Sequence, residues 1–100
     1  MNKEYIICAA IWINNETQYV HQPNNISSGY VVCGQRHHNC FMTVSIIRGE
    51  DIKKSDYGHV IQGFLTSDNR FLNRKEAGEL AFNAGQIETE TDCLFSEDLY

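Results

Sequence analysis

The chain has 100 residues, 42% of them hydrophobic, which suits one small domain with a modest core. Its formal net charge of -5 resides in residues 88–100, where Glu88, Glu90, Asp92, Glu97 and Asp98 meet no base. The remainder is charge-balanced, so a broad basic footprint for DNA or RNA is excluded, and the acidic end disfavours anionic membranes.

Tyr5 to Ile13 is a near-continuous apolar run and predicts a central strand. Neither this run nor Phe41 to Ile47 is long enough to span a bilayer. No secretory leader pattern is present, so an intracellular protein is expected, with Cys8, Cys33, Cys40 and Cys93 as reduced thiols. Asn14 to Glu16 predict a turn, and Thr17 to His21 a hairpin partner for the first strand. Gln22 to Gly29, with the only proline, reads as a polar loop. Tyr30 to Cys33 is a short strand stopped at Gly34.

His37 to Arg48 fits either a strand or a helix. Its length and the spacing of Cys40, Val44 and Ile47 favour a helix ended by Gly49. Glu50 to Tyr57 is charged and reads as a solvent loop. Val60 to Leu65 predicts a strand, Ser67 to Asn69 a turn, and Arg70 to Leu72 a returning strand.

Asn73 then caps a helix. Glu76 stands three residues later, at the capping-box position. Ala77, Leu80, Ala81 and Ala84 make its apolar stripe, and Gly85 stops it. Leu94, Phe95, Leu99 and Tyr100 of the tail either dock on the body, dock on a partner subunit or fray. The sum is an α+β fold: a small, mostly antiparallel sheet with about two helices, residues 1–87 forming the domain and 88–100 an acidic tail.

Three groups of residues carry candidate chemistry. Arg70 and Arg74 present forked donors that fit a phosphate or carboxylate. Arg74 sits in a first helical turn, where a bound anion would meet free N–H groups as well. The plainer alternative is a surface pairing of Arg70 with Asp68 or Glu76.

The second group, Gly34 to Cys40, brings Arg36, His37 and His38 to a strand-to-helix junction. Arg36 could clamp a phosphate there, or the histidines could simply bond at a cap or interface. A zinc set from Cys33, His37 or His38, and Cys40 matches no familiar closed unit. In the third group, Phe64 and Phe71 flank the polar turn and are candidates for stacking on a base. No GxSxG, P-loop or HExxH signature is present, and His37 or His38 with Cys40 is a poor nucleophile–base pair.

The stretches CAAIW (Cys8 to Trp12), GQRHHNC (Gly34 to Cys40) and QGFLTSDNRFLNRKEAGELAFNAGQI (Gln62 to Ile87) resemble the phage anti-Thoeris sponge proteins. The resemblance runs from about Tyr5 to Ile87. It implies a non-enzymatic protein, without cofactor or metal, that sequesters glycocyclic ADP-ribose signals in the cytoplasm of the infected bacterial host. It also implies a homo-oligomer, dimer or hexamer, with signal sites at a subunit interface. A second capacity for CBASS cyclic oligonucleotides, mainly trinucleotides, belongs to some members.

Carried over by motif, Arg36 and His37 of the RHH run and Arg70 and Arg74 of the NRFLNR run are the expected ligand contacts, followed by Phe64 and Asn69. The rival readings are an enzyme that cleaves a cyclic nucleotide signal, a protein–protein inhibitor that docks through the tail, and a zinc-stabilised structural domain.

Overall fold

The computed structural model describes residues 3–48 and 60–100. Four strands form one antiparallel sheet: β1 (Ile6–Ile13), β2 (Tyr30–Gly34), β3 (Val60–Thr66) and β4 (Phe71–Asn73), in the spatial order β2-β1-β3-β4. Helix α1 (His37–Arg48) follows β2, and α2 (Arg74–Asn83) follows β4. A 3-10 turn, Ser96–Asp98, lies in the tail. The expected α+β fold with an antiparallel sheet and two helices is therefore present. The predicted ends at Gly49 and Glu50 to Tyr57 lie outside the described residues.

β1 is one of the two inner strands, with β3, and both of its edges are paired: Ala9 faces Gly34 on one side and Phe64 on the other. Ala9, Ile11 and Ile13 alternate onto one face, the period of a strand. There Ile11 and Ile13 pack with Cys40 and Val44 of α1. Ala9, Phe64 and Leu72 pack with Ala77 and Ala81 of α2 and with Leu94 of the tail. The two helices thus share one face, side by side.

The small alanines let α2 approach closely, and Gly78 lets the tail backbone do the same. A Cβ at Gly78 would lie 2.4 Å from the Thr91 carbonyl oxygen. Leu94, fully buried, extends the core into residues 88–100. The opposite face holds Trp12 edge-on to Phe71, ring centroids 6.0 Å apart.

The expected hairpin partner at Thr17 to His21 is not a strand; β1 instead pairs with Tyr30–Gly34. The reason is local. The Asn14 side chain accepts the Glu16 N–H at 3.0 Å, and Asn15 accepts the Thr17 N–H at 3.1 Å. Such Asx turns take the donors a strand would need. The loop from Asn14 to Gly29 then ties itself to the sheet. The Asn25 amide accepts from the Phe71 N–H at 2.8 Å and donates to its carbonyl at 2.6 Å, covering the open edge of β4.

α2 starts where its cap requires. Asn73 accepts the Glu76 N–H at 2.8 Å, and Glu76 accepts the Asn73 N–H at 3.1 Å. It ends on a paired reverse turn. Gly85, at φ +76°, donates to Phe82, and Gln86 donates to Ala81.

Candidate functional site

His37 and Arg74 are the first residues of α1 and α2. The sheet register brings these two helix starts together, since Gly63 pairs with Asn73 and its carbonyl oxygen lies 2.8 Å from His37 Nε2. Arg74 then reaches His37 Nδ1 at 3.4 Å and Gln62 Oε1 at 2.8 Å through one guanidinium nitrogen, and the Leu94 carbonyl at 2.7 Å through the other. Arg36, one residue before α1, donates to Ser96 Oγ at 3.3 Å and to the main-chain oxygen of Tyr100. The Arg74 guanidinium and the starts of both helices thus meet at His37, while Arg36, the preceding residue in the chain, reaches the same tail segment that covers Arg74.

Each guanidinium also carries a ring. Phe95 lies over Arg74 at 4.8 Å, and Tyr100 over Arg36 at 5.1 Å. Both rings are about half exposed, at 48% and 46%. The Tyr100 hydroxyl donates to the Gln35 carbonyl at 2.7 Å.

The protonation state of His37 follows from its neighbours. A carbonyl only accepts, so Nε2 carries the hydrogen. A guanidinium only donates, so Nδ1 offers its lone pair. Burial and the facing Arg74 charge hold the imidazole below its ordinary value, against the pull of the Gly63 carbonyl and Glu97. The neutral ring meets Phe64 edge-on, centroids 5.2 Å apart.

The expected site residues therefore divide. His37 and Arg74 come together, and Arg36 shares with Arg74 the covering tail segment. Phe64 meets His37 edge-on, but it is fully buried, and Phe71 is 5% exposed, so neither ring offers a face to a base. Asn69 is an exposed turn residue at φ +58°.

Arg70 turns away and grips Glu4, with Nε to Oε2 at 2.8 Å and a guanidinium nitrogen to Oε1 at 2.7 Å. Its partner is neither Asp68 nor Glu76. The pairing holds the Glu4 carboxyl below the usual carboxylate range, with Thr66 Oγ1 donating to it at 2.6 Å. Gln62, Phe95, Ser96 and Tyr100 are not among the expected site residues, although docking of Phe95 and Tyr100 on the body is one of the expected alternatives. The sequence signal for those two rings is the apolar spacing within an acidic tail; Gln62 and Ser96 have none.

The other chemistries are less developed. Cys40 is buried, with Sγ directed to the Arg36 carbonyl at 3.5 Å, and burial pushes its thiol up to about 11. That is a poor nucleophile. Among the described residues no three His, Cys, Asp or Glu side chains are grouped to hold a metal ion. Also among the described residues, no helix is long and apolar enough to cross a membrane. The cleft between α2 and the tail is lined by Glu79, Glu90 and Asp92, the wrong sign for an anion.

A family model, described as phage T4 y16D protein, matches residues 5–100. The chain belongs to that family. No curated protein and no solved structure matches it. The family match takes in the tail as well as the three motifs, so the residues that cover Arg36 and Arg74 fall within it.

Proposed function

We propose that this protein is a non-catalytic sponge for a nucleotide immune signal, glycocyclic ADP-ribose, that blunts Thoeris defence in a phage-infected cell. The observation that carries the reading is the pairing at Arg36 and Arg74. Each guanidinium holds oxygen at its edge and an aromatic ring on its face. A nucleotide offers the same two groups, phosphate oxygens and a planar base. Membership of a phage protein family suits a role inside an infected host. Phe64 and Phe71 are buried and drop out as stacking candidates; in this reading a base takes the guanidinium faces instead.

The patch is open rather than enclosed. A tight sink buries most of its ligand, so a second copy of the chain supplies the other wall in this reading. Sequestration also needs no turnover, in keeping with the buried, high-pKa Cys40 beside a neutral His37 already bonded at both nitrogens. Binding of CBASS cyclic trinucleotides is a further capacity of the same proposal, at a separate site.

The test is recovery. Protein incubated with glycocyclic ADP-ribose is passed through a desalting column, heated, and the released nucleotide chromatographed. Intact ligand in proportion to protein supports a sponge. A ring-opened product identifies a cleaving enzyme instead, and no carried nucleotide leaves the protein-inhibitor reading.

A further inference from the structure

The tail segment from Phe95 to Tyr100 occupies the groups that the proposed ligand needs. Arg36 spends its donors on Ser96 Oγ and the Tyr100 main-chain oxygen, and its face on the Tyr100 ring. Arg74 has its face under Phe95. We infer that residues 95–100 are a strap hinged at Leu94, an intramolecular competitor that leaves the two guanidiniums when an anionic ligand takes them. The inference rests on the nucleotide-binding reading and adds the regulation of that site.

Three observations support a movable strap. First, the strap is thinly buried: Leu94 is fully buried in the core beside Ala77 and Ala81, whereas within residues 95–100 only Ser96 is fully buried and Phe95, Glu97, Asp98 and Tyr100 are exposed.

Second, the strap is a self-contained turn. Asp98 N–H donates to the Phe95 carbonyl at 2.9 Å and Leu99 N–H to Ser96 at 3.1 Å, while the Asp98 carboxylate accepts the Phe95 N–H at 2.9 Å. Lifting it as a unit keeps these bonds. It surrenders the ties to Arg36, Arg74 and Gln35 and the packing of Ser96 and Leu99, which are replaceable by ligand and water.

Third, the strap resembles what it would exclude. It brings the Glu97 charge toward His37, and one hydroxyl oxygen, one main-chain oxygen and two rings to the guanidiniums. On release Arg36 loses all of these contacts, while Arg74 keeps the Leu94 carbonyl and Gln62 and so remains aimed.

The experiment compares wild type with the double variant Phe95→Ala, Tyr100→Ala. Both rings are half exposed, so the core is spared. Affinity for glycocyclic ADP-ribose is measured by calorimetry, and the Phe95 and Tyr100 ring resonances of wild type are followed by proton NMR, with the Leu94 methyls as fixed reference. A competitor that closes the site lowers apparent affinity by the fraction of time it is open. The variant should therefore bind tighter, by roughly fivefold or more. In wild type the ring resonances should move to solvent-exposed positions on binding while Leu94 stays.

Weaker binding by the variant, or rings that stay on the guanidiniums in the complex, makes the strap part of the site and overturns the competitor. Equal affinity overturns it as well and leaves the nucleotide reading standing. Absence of binding by both proteins removes the nucleotide reading and the competitor with it.

Discussion

His37 Nδ1 faces a guanidinium nitrogen of Arg74 at 3.4 Å, an arrangement that only the neutral imidazole tolerates. Its other nitrogen is held by the Gly63 carbonyl, so the ring cannot turn away without breaking that bond. The charged and titratable neighbours are Arg74 on α2 and Glu97 on the tail; Phe64 meets the ring from β3.

The folded-state pKa of His37 is lowered, so the unfolded chain binds this proton first as pH falls. The stability it contributes is complete above the unfolded value, about 6.5, and is lost progressively below it, down to the folded value. Denaturant titrations from pH 7.5 to 5 should show this loss, and His37→Gln should flatten it. A ring that titrates at the ordinary position by NMR would contradict the assignment.

Arg70 is predicted to act on stability rather than on ligand binding. Its pair with Glu4 is bidentate but partly exposed, so Arg70→Ala should cost about 0.5–1 kcal/mol. The Glu4 pKa is depressed, and its contribution is present above the unfolded carboxylate value and lost as pH falls through the folded one. Acid unfolding of Arg70→Ala and Glu4→Gln should therefore lose this component in both variants. A double-mutant cycle with no coupling would refute the pairing.

Leu94→Ala tests whether the tail is part of the core. Removal of a fully buried leucine costs about 2–5 kcal/mol. Gly78→Ala should also destabilise, because its Cβ would meet the Thr91 carbonyl, a backbone atom that can retreat only by lifting the tail. Thermal melts that match wild type in both variants would mean that residues 88–100 do not dock as described.

The α2 cap is a local device with a local cost. Asn73→Ala removes the acceptor for the Glu76 N–H and should cost about 1 kcal/mol. Since Arg74 is the next residue, the variant should also weaken ligand binding through misplacement of that side chain. Chemical denaturation and titration of the same preparation separate the two effects.

What could be read from the sequence was what depends on near neighbours. The capping box of Asn73 and Glu76, the stop at Gly85, the central run of β1 and the choice of a helix for His37 to Arg48 all follow from spacing within a few residues. The error at Thr17 to His21 has the same scale but an opposite cause: asparagine side chains at 14 and 15 took backbone donors that the strand pattern assumed were free.

The site was half legible. Arg36, His37 and Arg74 stood out as chemistry in short motifs, yet the meeting of His37 and Arg74 depends on Gly63 pairing with Asn73 across the sheet. The partner of Arg70 is Glu4, far away in the chain, and no local pattern announces it. The contacts of Phe95 and Tyr100 with the guanidiniums were hidden because they exist only once Leu94 has found its place under α2.

The most direct measurement is a calorimetric titration of wild type, Arg36→Ala and Arg74→Ala with glycocyclic ADP-ribose, each protein first confirmed folded by its melt. The account predicts tight binding by wild type and a loss of about 1.5–3 kcal/mol in each variant, the worth of a hydrogen bond to a charged group. Equal affinity in all three, or no heat with wild type, would contradict it.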